Sequence, residues 1–201
     1  MSGMTIPFHR NPFTGIKRSR FLRLAVCVAV ADVLVTTASV IIPPETRQKM
    51  GLSSSAFKEG QPIPSQYTCD GKNISPPLTW SGTPGNTQSF VLIAEDPDSP
   101  TGIWAHWVVF NLGSDVSELP EDFAKSPLAS GSAKQGVNSF KNVGYGGHCP
   151  PANKLHRYYF KLYALDITLN LPAGASKSDV EAAMTKHMLA IGQLMGTYQR
   201  K

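Results

Sequence analysis

Charged residues are scarce in this sequence. Asp, Glu, Lys and Arg together make up 16% of its 201 residues, whereas glycine occurs 17 times and proline 16 times. Such a composition favours short strands joined by many turns over long helices with a solvated face. The length fits one domain that buries its own core without a metal ion or a dense set of disulfides.

An excess of positive charge is also missing from most of the chain. The net charge is +5, but residues 1–38 account for +4 of it and the remaining residues for +1. A nearly neutral domain has no basic face for a phosphate backbone. The sequence therefore argues against nucleic acid as a partner.

Several catalytic motifs are absent as well. The sequence contains no G-x-S-x-G, no P-loop, no H-E-x-x-H and no Rossmann glycine pattern. A cysteine–histidine nucleophile remains open, formed by Cys149 with His106 or His156. A zinc site also remains open, although the spacing of its candidate ligands matches no tight structural template; these are Asp96, His106, His148 and His156.

Residues 1–49 differ in composition from the rest of the chain. A basic stretch, KRSRFLR, precedes the apolar run LAVCVAVADVLVTTASV, and residues 36–38 offer a small-x-small cleavage site. This pattern predicts a signal peptide and a periplasmic or secreted protein, or an anchor if the segment is retained; Asp32 argues against the anchor. Alternatively, translation starts at Met50 and the protein is cytoplasmic. In either case we expect residues 50–201 to form the working domain.

Only three cysteines are present, and one of them, Cys27, lies in the leader. Cys69 and Cys149 remain, and in an oxidising compartment they could form one disulfide. Closing a loop of about eighty residues would stabilise the fold by roughly 4 kcal/mol in the chain-entropy model. The alternative is two unrelated buried thiols.

Turn signals recur along the chain from Gly51 onward and separate short apolar runs. The runs SFVLIAED, IWAHWVVFNL and LHRYYFKLYALDI are of strand length and rich in β-branched or aromatic residues. Residues 113–136 show no convincing periodicity and are expected to be irregular. Short strands between Gly/Pro turns predict antiparallel sheets, most simply a sandwich.

One helix is predicted near the C-terminus. Ser176 is a plausible N-cap, with Asp179 three residues further on, which is close to a capping box. An apolar stripe with spacings of three and four residues follows it, formed by Val180, Met184, Met188, Ile191 and Met195.

Strand geometry predicts which side chains share a face, because side chains alternate with a period of two. In the run that begins at Ile103, one face should carry Trp104, His106, Val108 and Phe110. In the run that begins at Leu155, one face should carry His156, Tyr158 and Phe160. Both faces begin polar and become apolar further in, as at the mouth of a pocket above a packed core.

Asp96 completes this group at the end of a third predicted strand. Pro97 holds it extended, because a residue before proline is steered away from the helical region. A carboxylate beside a histidine raises the pKa of the imidazole and fixes its tautomer, so that the imidazolium can donate to an anion. We expect Asp96 to be the carboxylate and His106 the imidazole of this pair. Tyr158 would supply a hydroxyl group to the anion, and Trp104 would form an apolar wall.

The stretch GGHCPP, residues 146–151, adds a glycine-rich turn. Successive backbone N–H groups in such turns form anion-binding concavities, and proline stiffens them. The combination indicates capture of a small oxyanion such as a phosphate monoester. The alternative is a capped sandwich edge with satisfied core histidines.

These residues resemble the phosphatidylethanolamine-binding protein (PEBP) family, specifically the bacterial and archaeal branch often called Raf-kinase-inhibitor-like. The resemblance covers roughly residues 50–200; its main stretches are YTCDGKNISPPLTW, DPDSPTGIWAHWVVFN, GYGGHCPP and HRYYFKLYALD. It implies a mainly β fold, a sandwich of two antiparallel sheets with a small anion pocket at one end.

The resemblance also implies site residues. The pocket positions match Asp96, Trp104, His106, Pro151, His156 and Tyr158, and Gly147 matches the backbone-donating turn. His148 departs from the branch, which usually has proline or a small residue there, and we include it as a rim residue that could enlarge the positive potential.

The function implied is a non-enzymatic binding protein for phosphate-bearing small anions: a phospholipid head group, a phosphorylated metabolite or a peptide. No cofactor and no catalytic residue are expected, and a membrane is contacted only through an uncleaved leader. One alternative is a protein–protein regulator, such as an inhibitor of a kinase or a protease, in which the pocket is secondary. Another is a Cys- or metal-dependent hydrolase.

Overall fold

A computed structural model describes residues 47–123 and 131–201 of the chain. The predicted signal peptide and its cleavage site lie outside the described residues. The first strand begins at Gln48, so the expected domain boundary between residues 49 and 50 falls within a strand. No helix in the described residues is long and apolar enough to span a membrane.

The described residues form eight strands, one α-helix and a short 3-10 turn at Ser65–Tyr67. The strands are β1 Gln48–Ser53, β2 Leu78–Ser81, β3 Ser89–Asp96, β4 Trp104–Gly113, β5 Glu118–Leu119, β6 Lys134–Gln135, β7 Leu155–Leu165 and β8 Met188–Gln199, and the helix is α1 Lys177–Met184. The three long predicted strands correspond to β3, β4 and β7. Within the segment expected to be irregular, only the two-residue strands β5 and β6 form among the described residues.

The strands pair in the order β5-β2-β1-β8-β7-β3-β4-β6. All of these pairs are antiparallel except β1–β8, which is parallel and joins the β1, β2 and β5 portion to the rest. The sheet curls, and the larger hydrophobic cluster contains side chains from both portions, such as Leu78 and Trp80 of β2 and Phe90 and Leu162 of β3 and β7. The predicted mainly β fold is therefore confirmed.

A second hydrophobic cluster covers the other face of β3, β4 and β7. Val91 and Ile93 of β3 pack there with Val180 and Met184 of α1. Because both faces of the central strands are covered, all eight residues of β3 are buried. Close packing on both faces makes these strands rigid, so they hold the side chains at their ends in fixed positions.

The capping box predicted at the start of α1 is present. The Ser176 side chain accepts a hydrogen bond from the Asp179 backbone N–H, and the Asp179 carboxylate accepts one from the Ser176 N–H. The predicted extent of the helix is wrong, because α1 ends at Met184 and the remaining apolar residues of the stripe lie in β8. β8 pairs with β7 over nearly its whole length, and this tertiary pairing overrides a helical pattern that Gly192 and Gly196 already weaken.

Candidate functional site

Three strand ends meet at one end of the sheet. Asp96 closes β3 and pairs with Trp104, the first residue of β4. On the other side of β3, Glu95 pairs with Tyr159, which places the start of β7 alongside. The central strand β3 therefore brings the polar residues of all three strands to the same edge.

A bulge in β4 sets the direction of His106. Ala94 pairs with Trp107, but the next residue of β3, Glu95, pairs with Ala105, so His106 is the extra residue. A bulge breaks the alternation of faces and re-aims a side chain. His106 and Trp107 consequently both lie on the side of the larger hydrophobic cluster.

Because of the bulge, the side chains of β4 do not share a face as predicted. His106 packs against Tyr158, with ring centroids 5.4 Å apart, whereas Val108 and Phe110 belong to the cluster on the opposite face of the sheet. The prediction that these residues share a face with His106 is wrong, since a simple period of two does not allow for an inserted residue. The predicted face of β7 holds, because Tyr158 and Phe160 lie in the same cluster and β7 has no bulge there.

A cavity of about 310 Å³ opens at the edge where the strands meet. Five of the predicted site residues line it: Asp96, Trp104, His106, Pro151 and His156. Its remaining lining residues are Ser99, Pro100, Thr101, Phe140, Cys149, Pro150 and Arg200. Gly147, His148 and Tyr158 do not line it.

Asp96 and His156 form a buried pair. The Nδ1 atom of His156 lies 2.7 Å from Oδ2 of Asp96, and the two side chains are 8% and 5% exposed. The other carboxylate oxygen of Asp96, Oδ1, accepts a hydrogen bond from the Asp98 backbone N–H at 2.8 Å. An ionised carboxylate only accepts, so Nδ1 of His156 carries the proton and Nε2 is left for a ligand.

His106 has a different partner from the one that the sequence indicated. Its Nδ1 lies 2.8 Å from the Gly146 carbonyl oxygen, to which it must donate, so that Nε2 is again the remaining ring nitrogen. Burial lowers the pKa of His106, and its hydrogen bond to Gly146 and the charge of Asp96 oppose this only in part. Asp96 does raise the pKa of His106, as expected, but the carboxylate is bonded to His156 and the desolvation of the His106 ring outweighs its effect, so the net pKa lies below the ordinary value.

Gly147 does not offer its N–H group to the cavity. That group donates to Oδ1 of Asn73 at 2.6 Å, and Gly147 lines a smaller neighbouring cavity of about 190 Å³. The glycine is required by close packing, since a Cβ atom there would lie 2.7 Å from the backbone carbon of Thr68. The interpretation of this turn as an anion-binding donor must therefore be corrected at Gly147: the turn fits closely against the segment around Cys69.

His148 is not a rim residue, because it is completely buried. Its ring lies against that of Tyr158, with centroids 3.9 Å apart, and 4.8 Å from that of His106. Tyr145 donates its hydroxyl hydrogen to the Tyr67 carbonyl oxygen, so the 3.3 Å contact between this hydroxyl and Nε2 of His148 requires the proton on Nε2. Burial lowers the pKa of His148 well below its ordinary value, so the ring adds no positive charge at the rim.

Tyr158 lies beneath the cavity rather than in its wall. The side chain is fully buried, and within the described part of the chain its hydroxyl meets no group with hydrogen-bond geometry. Burial, and then the nearby carboxylate of Asp96, raise the pKa of this hydroxyl. Tyr158 therefore supports the rings of His106 and His148 from below.

Cys69 and Cys149 are joined by a disulfide that closes a loop of 80 residues in sequence. The bond leaves no thiolate at Cys149 for a nucleophilic mechanism with His106 or His156. Nowhere in residues 47–123 and 131–201 do three or more His, Cys, Asp or Glu side chains come together in a group that could hold a metal ion. The disulfide therefore does not favour a cysteine-dependent hydrolase.

Sequence reasoning missed two large side chains of the cavity. Phe140 packs edge-on against Trp104 and His106, with ring centroids 5.3 and 5.4 Å away. It comes from a loop without periodicity, so no pattern marked it. Arg200 follows the last strand, and its expected helical context concealed it, whereas the strand β8 carries it back to the cavity.

Comparison with known proteins places this geometry in a family. Residues 53–199 match the sequence model of the family described as phosphatidylethanolamine-binding protein. A relative from Aquifex aeolicus described as a UPF0098 protein is 51% identical over 153 residues, which cover 75% of this chain and 89% of the relative. A UPF0098 protein of Methanothermobacter thermautotrophicus is 48% identical over 151 residues, covering 75% of this chain and 99% of the relative.

Two crystal structures have a similar fold. The Chlamydia trachomatis protein CT736, described as a PEBP homologue, is 44% identical with a TM-score of 0.69, covering 77% of this chain and 99% of its own. Escherichia coli YbcL, described as a member of the mammalian PEBP family, is 33% identical with a TM-score of 0.71, covering 76% and 99% of the two chains. The family match over most of the chain and the identity to these relatives lead to one conclusion: this chain belongs to the phosphatidylethanolamine-binding protein family.

Proposed function

We propose that this protein binds phosphate-bearing small anions, without catalysis, in the 310 Å³ cavity at the strand ends. One observation carries the proposal. His106 and His156 line the same cavity, and each ring has its Nδ1 engaged internally, with Gly146 or with Asp96, so that both Nε2 atoms remain for a ligand. Two imidazoles oriented in this way fit an oxyanion with several acceptor oxygens.

The protonation state of the rings sets how binding proceeds. A neutral ring whose Nδ1 donates internally has an Nε2 that accepts, and it must gain a proton before it donates to an anion. Anion binding is therefore coupled to proton uptake, and we expect affinity to rise as the pH falls. Since burial lowers the pKa of His106, the contribution of this residue to anion affinity grows mainly below the ordinary histidine pKa of 6.5.

The size and walls of the cavity limit the ligand. A volume of 310 Å³ lies at the lower end of the range for ligand sites, about 300–1,000 Å³, so it fits a head group and not a whole lipid. Trp104, Phe140 and Pro151 provide apolar surface for the organic part of the ligand. The chemistry shared by a phospholipid head group, a phosphorylated metabolite and a phosphopeptide is a phosphate ester, and the experiment must separate these sources.

The test is isothermal titration calorimetry of the protein with inorganic phosphate, phosphoethanolamine and phosphoserine, with ethanolamine, which lacks the phosphate group, as the control. We expect the phosphate compounds to bind and ethanolamine not to bind. His106→Ala and His156→Ala should each weaken binding by at least about tenfold, the equivalent of one hydrogen bond to a charged group. His187→Ala is the matched control, because His187 is bonded to Asp166 and does not line the cavity.

Two results would count against the proposal. Absence of binding to all three phosphate compounds would overturn it. Equal affinity of the wild-type protein and the His106 and His156 variants would show that the ligand binds elsewhere, and would favour the alternative function, a protein–protein regulator of a kinase or a protease in which the cavity is secondary.

We also propose that the protein is exported to the periplasm or secreted. The disulfide between Cys69 and Cys149 supports this location, because disulfides persist in oxidising compartments and are rare in the cytosol. Fractionation of cells that express the full chain, followed by mass analysis of its N-terminus, tests the location. Recovery of the intact chain in the cytoplasm with both thiols reduced would refute it.

A further inference from the structure

We infer that Arg200 determines the charge selectivity of the cavity: its guanidinium group favours a doubly charged phosphate ester over a singly charged anion of the same shape. This inference rests on the proposed function, since it assigns a role within the same cavity. It follows from the position of Arg200, from its hydrogen bonds and from the charges of the other lining residues.

The backbone of Arg200 is fixed next to the cavity wall. Its carbonyl oxygen accepts a hydrogen bond from the Asn153 N–H at 3.0 Å, and Ala152 and Arg200 form a parallel bridge. Ala152 and Asn153, which make these two contacts, directly follow Pro150 and Pro151 in the sequence. Both prolines line the cavity. The end of β8 is therefore attached to the wall that it faces.

The side chain of Arg200 is oriented by a single carboxylate. Its Nε atom lies 3.0 and 3.2 Å from the two oxygens of Asp70, and Oδ2 of Asp70 also accepts from the Tyr198 hydroxyl at 2.8 Å. Asp70 follows Cys69, whose disulfide partner Cys149 lines the cavity. This arrangement holds the guanidinium beside the cavity before any ligand arrives.

The Nη groups of Arg200 remain for a ligand. In the described part of the chain, its hydrogen bonds to side chains involve Nε alone. The side chain is 38% exposed, and Arg200 is one of the residues that line the cavity. A guanidinium presents its N–H groups as a planar fork that matches two phosphate oxygens, which a lysine ammonium cannot do.

The other lining residues provide no permanent positive charge. Asp96 brings a buried carboxylate into the wall, and His106 and His156 are the other lining residues that can carry positive charge, which they gain only on protonation. Among the described lining residues, Arg200 alone is cationic at every pH of interest. The second negative charge of a phosphate ester, which forms at a pKa of about 6, therefore interacts chiefly with Arg200 at pH 8.

The experiment compares methyl phosphate, a dianion at pH 8, with methyl sulfate, a monoanion of the same shape, by calorimetry. The wild-type protein should prefer methyl phosphate by at least about tenfold, the discrimination of one charge-assisted hydrogen bond. Arg200→Gln should abolish this preference, and Arg200→Lys should retain part of it, because the charge persists while the fork is lost. Lys201→Gln is the matched control, since it removes an equal charge from the next residue, which does not line the cavity.

The outcomes separate the inference from the function on which it depends. If the wild-type protein binds methyl phosphate and His106→Ala weakens this binding, but Arg200→Gln keeps the wild-type preference, the role of Arg200 is refuted and the proposed function stands. If the wild-type protein binds neither compound at pH 8 or at pH 6, both are refuted. Melting curves of Arg200→Gln and Arg200→Lys should match the wild type, and a larger loss of selectivity in the glutamine variant than in the lysine variant is the result that a merely structural role for Arg200 would not produce.

Discussion

The Nδ1 atom of His156 and the Oδ2 atom of Asp96 lie 2.7 Å apart at the buried base of the cavity. This hydrogen bond fixes the tautomer of the His156 ring as well as its position. Because Oδ1 of Asp96 is occupied by the Asp98 N–H, the carboxylate must use Oδ2 to hold the imidazole in the tautomer that carries its proton on Nδ1. The Nε2 atom of His156 is therefore the ring nitrogen that is left for a ligand.

The Asp96→Asn substitution should reverse this tautomer. The Asn side-chain oxygen would keep the hydrogen bond from the Asp98 N–H, and its NH₂ group would then donate to Nδ1 of His156. The ring proton would move to Nε2, which would donate to an anion without proton uptake. We expect proton uptake on binding of methyl phosphate to fall by up to one proton per molecule.

Calorimetry in buffers of different ionisation enthalpy measures this proton uptake directly. His187→Ala, whose ring lies away from the cavity, should take up as many protons as the wild type. The same proton uptake in Asp96→Asn and wild type would contradict the assigned tautomer.

His148 should make the protein sensitive to acid. Burial lowers its pKa below the ordinary value of 6.5, so the unfolded chain binds a proton before the folded one, and stability falls as the pH drops below 6.5. The side chains around the ring are those of His106, Tyr145, Tyr158 and Phe160, none of which carries a negative charge. His148→Phe should reduce the loss of unfolding free energy between pH 6 and pH 5 by about 1.4 kcal/mol.

Urea unfolding at pH 5, 6 and 7.5 checks this prediction. The comparison uses the slope against pH and not the absolute stability, because the substitution also removes the contact with the Tyr145 hydroxyl. His187→Phe serves as a control, since His187 is partly exposed and is paired with Asp166. Parallel pH profiles of His148→Phe and wild type would refute the assignment.

Removal of the disulfide should destabilise the fold. It closes a loop of 80 residues, and in the chain-entropy model such a loop contributes about 4 kcal/mol by restricting the unfolded state. Cys149→Ala should therefore lower the melting temperature in oxidising buffer, and a reducing agent should lower that of the wild type but not that of the variant. An equal response of both proteins to the reducing agent would show that Cys69 and Cys149 are not bonded in solution.

Gly196 should not tolerate a side chain. A Cβ atom there would lie 2.5 Å from Cγ1 of Ile63 and 2.8 Å from a ring carbon of Phe57, both of which are buried. Overpacking of this kind costs about 1–3 kcal/mol, and Gly196→Ala should lose that much stability in chemical denaturation. Gly85→Ala is the control, because a Cβ atom at Gly85 meets nothing within 4 Å; equal stability of the two variants would contradict the packing of residues 57–63 on β8.

The local sequence pattern predicted the strands that carry the site. β3, β4 and β7 are apolar runs bounded by turn residues, and their interiors are buried as those runs require. The cavity lining contains Asp96, His106 and His156 because each stands where such a run ends. The capping box at Ser176 was visible for the same reason, since it depends on neighbouring residues alone.

The local sequence pattern gave wrong predictions where contacts between residues distant in sequence determine the structure. The stripe from Met188 onward has helical spacing but forms β8, because β7 and β1 offer backbone partners on both sides. Gly147 has the features of an anion-binding turn, but Asn73, 74 residues away, accepts its N–H. His148 is polar and lies in a glycine- and proline-rich turn, yet it is buried against Tyr158.

The order of residues along the chain was thus enough to set the long strands β3, β4 and β7, the family and the group of ionisable side chains, because these depend on local periodicity and on which residue types stand together. Only the folded chain decided which imidazole pairs with the carboxylate, on which face His106 emerges after its bulge, and that Arg200 returns to the same cavity. Those relations depend on register between strands, and register is set by the packing of the whole sheet.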